Sequence, residues 1–467
     1  MSDNAHRQFL QMLGWEGKEL EEFLPEWERA ARLLQLSDGD VKYAVEQHIP
    51  SHWDLSFKSV KMMIAVCIRE IVELSKAGQY LDDGDSEIYI NIPATPVCMY
   101  ANKLAGKGRI HIATPGYMMV LVRGAFFNKG AGCYGNSLNS HCAACKMNSI
   151  KANAINKGFL PPPTITWNWG IKCSEAPKTE ELVACIMGRQ WKNTFITIPH
   201  DAPLGDVEAD NCKRVSFLAE KLRLAQRDVS EATGVQVTEE NLQESLKTYM
   251  KYLKLVSELS DLVMLADPQP VSINELALFG TSMDMCLDIG YLRLIEILEL
   301  FLSEVKERVS RGIGILSKNS PKLFCQFNPL YAPWIEKSFR DNGVCLTQGR
   351  MLPLESVFEK YINEADVYTT VARMSLATPS SMNMEDEARI YIDLLNKYHA
   401  DGALYGFYSF DKWVGAVQKT MVRMIEAKTG VPHFYVEGDL WDSEKKSEDE
   451  RMVIIRSICN CLKISRI

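Results

Sequence analysis

Two stretches of the chain, residues 163–203 and 402–442, have the same order of predicted elements. Each begins with an apolar, β-rich run, continues through a turn and an amphipathic helical pattern, and ends with a second β-rich run close to an aspartate. Cys173 in the first stretch and Phe410 in the second stand at nearly the same distance before these aspartates, Asp201 and Asp439. An internal repeat of this kind predicts two structural units of the same design.

Strands that alternate with helices are typical of parallel α/β sheets, which predicts an α/β fold with two such domains. "SEIYINIPATPVCMYANKLAG" and "GRIHIATPGYMMVLVRGAFF" supply further strand–helix pairs before the first repeat. Long amphipathic stretches such as "LQESLKTYMKYLKLVSELSDLVML" separate the two halves. We therefore predict four segments: an N-terminal helical region, 1–80; a first α/β domain with a cysteine cluster, 81–205; a helical segment, 206–315; and a second α/β domain, 316–467.

Composition excludes several classes of protein. The chain has 467 residues and a net charge of −8 without long runs of one sign, so no basic face for a nucleic acid is expected. The apolar runs are too short and too interrupted for a membrane span. The N-terminus lacks the basic-then-apolar order of a signal peptide, so a cytoplasmic protein is expected. In that compartment, thirteen cysteines do not indicate a disulfide framework.

Four cysteines crowd one part of the first α/β domain: Cys133, Cys142, Cys145 and Cys173. Structural zinc usually requires two close pairs of ligands, and only Cys142 and Cys145 form one. A thioredoxin-like pair would follow a strand, and no clear strand precedes "HCAACK". An iron–sulfur cluster accepts thiolates from scattered strand ends and helix starts. The residues alone leave zinc, redox and iron–sulfur chemistry open.

Five segments together carry a family resemblance: "HCAACK", "GFLPPPTITWNWGIKC", "FITIPHDAP", "KYHADGALYGFYS" and "AKTGVPHFYVEGDLWD". In order and spacing, residues 90–467 resemble the 2-hydroxyacyl-CoA dehydratase and benzoyl-CoA reductase family. Residues 1–80 are not covered by the resemblance.

The resemblance implies two flavodoxin-like domains, an acyl-CoA substrate, a related second subunit in a heterodimer or larger assembly, and a separate ATP-dependent activator that supplies single electrons. It also implies a [4Fe–4S] cluster held by three cysteines, of which Cys142 matches the first and Cys173 the second. At the position of the third, after "DGALYGFYS", this chain has Phe410 beside Ser409.

The absent third cysteine leaves three interpretations. Cys145 could supply the missing ligand, with Cys133 as the alternate. The chain could instead hold no cluster and serve as a partner or scaffold subunit. The local alignment could also be displaced, although the internal repeat independently places Phe410 opposite Cys173. We expect a retained cluster, because four cysteines still lie between residues 133 and 173.

The implied reaction requires activation of the substrate, because the β-proton of a 2-hydroxyacyl-CoA is not acidic. One electron added to the thioester carbonyl expels the 2-hydroxyl group and acidifies the β-position. Reduction of an aromatic acyl-CoA would use the same cluster and the same kind of activator, so the sequence predicts a subunit of either a lyase or a reductase. Candidate catalytic residues near predicted strand ends are His200, Ser409 and Glu437.

Overall fold

The computed structural model of the chain describes residues 4–82, 87–91, 95–130, 146–170, 175–188, 191–199, 202–209, 212–285, 288–326, 329–348, 359–406, 412–436 and 448–464, and the structural statements below concern these residues.

Two four-stranded sheets form the framework of the molecule. The first contains β1 Glu87–Asn91, β2 Ile110–Ala113, β3 Ile165–Gly170 and β4 Asn193–Thr197. The second contains β5 Lys322–Cys325, β6 Cys345–Gln348, β7 Gly402–Tyr405 and β8 His433–Tyr435. All neighbouring strands in both sheets are parallel.

The two sheets have the same topology. Their strand orders are β2-β1-β3-β4 and β6-β5-β7-β8, so the first strand of each sheet lies between the second and the third. This is the order of the first four strands of a flavodoxin-like sheet, and it confirms the predicted α/β fold class with two parallel sheets. The internal repeat corresponds to β3, β4 and the helix between them in one sheet, and to β7, β8 and their helix in the other.

Burial along the strands follows their place in the sheet. All four residues of β7, an inner strand, are buried, as expected for a parallel strand covered on both faces. On β4, an edge strand, buried Thr194 and Ile196 alternate with exposed residues. β2, at the opposite edge, also alternates. The apolar run of β7 and the alternating pattern of β4 are therefore consequences of strand order.

Helices make up most of the remaining described chain. The α-helices are Ala5–Met12, Gly17–Leu33, Asp38–Tyr43, Ile49–His52, Lys58–Ser75, Ala77–Asp82, Pro96–Gly106, Pro115–Leu121, Lys146–Asn156, Glu175–Met187, Lys213–Thr233, Glu239–Leu265, Ile273–Met285, Tyr291–Ser310, Trp334–Asp341, Val367–Leu376, Met384–Lys397, Lys412–Thr429 and Glu448–Ile464. Short π-helical turns at Ala44–His48 and Val122–Phe126, and 3₁₀ turns at Leu204–Glu208, Glu359–Tyr361 and Pro379–Ser381, complete the set.

The four helices between Lys213 and Ser310 form the predicted helical segment. The longest, Glu239–Leu265, begins with a capping box in which the Thr238 side chain accepts from the Asn241 backbone and the Asn241 side chain accepts from the Thr238 backbone. The helix before it ends at Gly234, whose φ of 71° suits a residue without a side chain. Both signals are local, which explains why the sequence pattern predicts these helices well. The domain boundaries at residues 81, 206 and 316 stay predictions.

The N-terminal helices, the first sheet and the helical segment share one continuous apolar core, in which Phe9, Trp27, Trp167 and Phe279 are fully buried. The second sheet has a separate apolar cluster on each face. Among the described helices, none is both long enough and apolar enough to cross a membrane.

Candidate functional site

In open parallel sheets, ligands bind beside the carboxyl ends of the strands, and the residues predicted from the sequence belong to this edge. The segments directly after most strands lie outside the described residues. They contain the predicted ligand Cys173, the candidates His200, Ser409 and Glu437, and Phe410. Cys133, Cys142 and Cys145, which precede the helix Lys146–Asn156, also lie outside them. The helices and strands that flank these positions show which parts of the fold surround the predicted site.

Two neighbouring helices begin where the predicted cysteine ligands end. Lys146–Asn156 starts directly after Cys145, and Glu175–Met187 starts two residues after Cys173. Glu175–Met187 connects the parallel strands β3 and β4, so it runs from the carboxyl edge of the sheet to the amino edge. Lys146–Asn156 leads into the start of β3 and runs the same way. The two helices also pack against each other.

A buried ion pair joins these helices. Lys151 Nζ contacts Glu180 Oε1, and the two side chains are only 2% and 4% exposed. The other carboxylate oxygen of Glu180 accepts a hydrogen bond from Trp191 Nε1 at 3.0 Å. Lys151 and Glu180 are each the sixth residue of their helix. Contact at equal depth between parallel helices places their N-terminal ends side by side.

The N-terminal end of Lys146–Asn156 also carries an unsatisfied donor. Asn148, the third residue of the helix, is 2% exposed, and its Nδ2 has no hydrogen-bond partner among the described residues. Side chains of a helix lean toward its N-terminus, so this amide lies toward the segment that contains Cys145. A buried N–H group without a partner is costly, which indicates that a hydrogen-bond acceptor belongs there.

The second sheet has a neutral counterpart of the Lys151–Glu180 pair. Gln418, in the helix after β7, stands as far before Asp439 as Glu180 stands before Asp201. Its side-chain amide donates to Gln326 Oε1, and Gln326 directly follows β5. The Gln326 amide in turn lies 3.4 Å from the hydroxyl of Tyr391. In both units, therefore, a side chain of the helix that follows the third strand forms a buried polar pair.

Gly406 controls how β7 ends. Its φ is 111°, a conformation that favours glycine, and a Cβ built on it would lie 2.4 Å from the carbonyl oxygen of Val436 after β8. The strand can therefore turn beside β8 only with glycine at this position. Residues 407–411, which hold Ser409 and Phe410, follow directly.

The carboxyl ends of the two sheets meet at the end of the helix Ile273–Met285. Thr114, directly after β2, donates its hydroxyl to the Met285 carbonyl oxygen at 3.2 Å. Tyr331, six residues after β5, lies with its hydroxyl 3.4 Å from Met285 Sδ. Gly124 packs so closely on Tyr331 that a Cβ on the glycine would lie 2.4 Å from the tyrosine carbonyl oxygen.

A second contact joins the two halves beside β4. Ala202, the residue after Asp201, forms a parallel bridge with Met382, and its carbonyl oxygen accepts from the Asn383 backbone at 3.0 Å. The segment that contains His200 and Asp201 therefore leads directly into a contact with the second half of the chain. Together with the contacts at Met285, this bridge joins the two halves of the chain at two places.

A further set of possible metal ligands lies elsewhere in the described part of the chain. Atoms of Glu73, His111 and Asp288 lie within 4.8 Å of one another. However, Asp288 already binds the ammonium group of Lys103, and Glu73 binds that of Lys76 at 2.9 Å. Burial, followed by the charge of Asp288, raises the pKa of nearby Glu70 well above its ordinary value. We interpret this set as a network of ion pairs.

Sequence reasoning missed the residues that position the site, above all Lys151, Glu180, Trp191 and Met285. The only available signal was a charged residue within an otherwise small or apolar helical stretch. "MNSIKANAI" around Lys151 has this form. Surface lysines and glutamates show the same pattern, and the sequence does not pair one helix with another.

Comparison with known proteins yields one family. A search of curated proteins finds no match to the chain. The family described as 2-hydroxyglutaryl-CoA dehydratase, D-component, matches residues 141–453, a range that contains Cys142, Cys173, both repeat units and the second sheet. Because the match covers about two thirds of the chain, the protein belongs to the 2-hydroxyglutaryl-CoA dehydratase D-component family.

Proposed function

We propose that this chain is a subunit of an enzyme that removes water from a 2-hydroxyacyl-CoA, and that Cys142, Cys173 and Cys145 hold a [4Fe–4S] cluster, with Cys133 as the alternate ligand. The observation that carries the proposal is the packed pair of helices that start directly after Cys145 and close to Cys173. Family membership supports a dehydratase-type subunit in general.

The surroundings of the cysteines fit such a cluster. The positive ends of two helix dipoles, side by side, favour thiolates over thiols. The buried amide of Asn148 offers a donor that could bind a cluster sulfur, and such hydrogen bonds tune the reduction potential. The Lys151–Glu180 pair would fix the spacing of the two helix starts.

When bound, the cluster would supply an electron to the thioester carbonyl and act on it as a Lewis acid. The protein's own part is to bind the acyl-CoA, exclude water and move protons. His200, Ser409 and Glu437 are candidates for proton transfer because they follow β4, β7 and β8 in the sequence. A related second subunit and an ATP-dependent activator complete the proposed system. Reduction of an aromatic acyl-CoA remains the related alternative.

A second candidate function follows from Phe410. This residue replaces the third cysteine implied by the family resemblance. A phenyl group cannot bind iron, so the chain could serve as the cluster-less partner that shapes the cleft beside a cluster-bearing subunit. In that case Cys142 and Cys173 would remain free thiols.

Iron analysis of anaerobically purified protein tests the first candidate. We expect about four irons and four sulfides per chain. Substitution of Cys142 or Cys173 by serine should abolish them, and so should Cys145→Ser if Cys145 is the third ligand, or Cys133→Ser if Cys133 takes that place. Cys185→Ser is the matched control, because this cysteine is free and exposed on the neighbouring helix. Full iron content in both Cys142→Ser and Cys173→Ser would refute the assignment.

Iron-free wild-type protein that still supports turnover in a complex with its partner would favour the second candidate. In that case Phe410→Cys should allow iron incorporation.

Turnover of the complete complex with activator, ATP and a 2-hydroxyacyl-CoA should yield the enoyl-CoA and water. Its absence in an iron-replete complex with a series of 2-hydroxyacyl thioesters would refute the dehydratase activity.

A further inference from the structure

The helix Ile273–Met285 lies at the centre of the molecule, and twelve of its thirteen residues are buried. The exception is Asp284, which retains partial solvent access. Its neighbours Met283 and Met285 are each 1% exposed. Asp284 therefore keeps some contact with solvent in an otherwise buried helix, although burial still dominates the surroundings of its carboxyl group.

Aromatic hydroxyl groups surround Asp284. Tyr249 and Tyr291 lie close enough that, after burial itself, the charge of Asp284 is the largest factor that raises the pKa of each phenol. Tyr252, on the same helix as Tyr249, donates to the Phe279 carbonyl oxygen at 2.5 Å. Tyr100 packs on Tyr291 with ring centroids 4.4 Å apart. Among the described residues, the titratable groups placed around Asp284 are thus four tyrosines from three helices, and the charge of exposed Glu244 acts on one of them, Tyr100.

No cation neutralises this carboxyl group within the part of the chain that the structure describes. No ion pair involves Asp284, and burial alone raises its pKa to about 7. The nearby phenols have raised pKa values and stay protonated under the same conditions. The carboxyl group can therefore gain or lose a proton near neutral pH while its surroundings remain unchanged.

Asp284 also lies beside the point where the two sheets meet. The adjacent Met285 contacts Thr114 after β2 and Tyr331 after β5. On the other side, the Tyr291 hydroxyl donates to the Pro96 carbonyl oxygen at 3.1 Å, and Pro96 begins the helix that follows β1. Residues that follow β1, β2 and β5 thus contact the neighbours of Asp284.

We infer that Asp284 is an acid–base group of this junction and exchanges a proton with the acyl chain of a bound 2-hydroxyacyl-CoA. This inference rests on the proposed function. Dehydration breaks the C–OH bond and a β C–H bond and forms a C=C bond, without net oxidation. Protonated Asp284 gives its proton to the departing hydroxide to form water, and the carboxylate then takes the β-proton. The group is regenerated, and the single electron from the activator is returned when the double bond has formed.

The test compares Asp284→Asn with wild type in the complete complex with its partner and activator. We expect kcat to fall at least about 100-fold, the range lost when a general acid–base group is removed. Iron content and the Kd of the acyl-CoA should stay within twofold, and the wild-type pH dependence near neutrality should disappear. Glu296→Gln is the control, because this acid is exposed on the helix that begins with Tyr291 and should leave kcat unchanged. A kcat within threefold of wild type, with the same pH profile, would overturn the inference.

An infrared titration of the chain alone separates this inference from the proposed function. Glu336→Gln serves as the background, because it removes another buried carboxyl group with a pKa of about 7. This background should show a protonated carboxyl band that disappears between pH 6 and 8, and adding Asp284→Asn should remove that band. Absence of the band while Asp284 is present overturns the inference even if the complex is an active dehydratase. An inactive wild-type complex with full iron content would instead refute the proposed function.

Discussion

Lys151 and Glu180 form an ion pair buried between the two helices that follow the predicted cysteine ligands. Burial of two charges is costly, and a pair of apolar residues often stabilises a protein equally well. What the ion pair provides is a defined alignment of the helices. Here that alignment fixes the relative positions of the segments that carry Cys145 and Cys173.

We expect Glu180→Gln to lower the free energy of unfolding by about 3–5 kcal/mol, because it leaves the Lys151 ammonium group buried without its anion. The double variant Lys151→Met/Glu180→Leu should be less destabilised than this single variant, since it buries no unpaired charge. Urea titrations of wild type, Lys151→Met, Glu180→Leu and the double variant measure the coupling energy of the pair.

The exposed pair Arg293–Glu296 provides the control. Its nitrogen–oxygen distance is 2.9 Å, but its side chains are 53% and 63% exposed. Glu296→Gln should therefore change stability by less than about 0.5 kcal/mol. If Glu180→Gln were equally harmless, the buried pair would not hold the two helices together.

We expect Gly124→Ala to destabilise the contact between the two halves of the chain. The added Cβ would lie 2.4 Å from a backbone carbonyl oxygen of Tyr331, which cannot move aside as a flexible side chain could. Overpacking of this kind costs about 1–3 kcal/mol or more. Gly39→Ala, where the nearest atom lies at 3.7 Å, should be close to neutral. Equal melting temperatures for the two variants would contradict the close packing at Tyr331.

Much of the fold is predictable from sequence because its signals are local. The repeat around β3 and β7 predicts two sheets of one design, and the structure shows the same strand order twice. The amphipathic stretches between the two halves predict a helical segment, and the structure has four helices between Lys213 and Ser310. Hydrophobic periodicity and capping residues such as Thr238 act within a few residues of one another, so the sequence displays them directly.

The contacts that assemble the site are not local and were not predicted. Met285 joins Thr114 to Tyr331 across long stretches of chain, and Asp284 is exceptional only because the rest of its helix is buried. The predicted ligands Cys142 and Cys173 stay predictions, as do Cys145 and the alternate Cys133. Their arrangement depends on the packing of Lys146–Asn156 against Glu175–Met187, and the hydrophobic periodicity of one helix does not specify its partner.

Glu336 predicts a measurable pH dependence of stability. This glutamate is 1% exposed on the helix Trp334–Asp341, and burial raises its pKa to about 7 even though Arg340 lies 3.1 Å away. The charges of Glu275 and Asp341 raise it further. The unfolded chain ionises Glu336 near its ordinary value of 4.5, while the folded chain holds the proton up to about pH 7. Stability is therefore lost as pH rises between these values and levels off above them.

Glu336→Gln removes this contribution while it keeps the shape of the side chain. The remaining difference between glutamine and a protonated glutamic acid at position 336 changes stability by the same amount at every pH. Between pH 4.5 and pH 8 the variant should gain on wild type by roughly 3 kcal/mol, from about 1.4 kcal/mol for each unit by which the pKa is raised. Urea titrations at several pH values measure this gain, with the exposed Glu46→Gln as a control that should follow the wild-type curve. Parallel curves for wild type and Glu336→Gln would show that folding does not raise the pKa of Glu336.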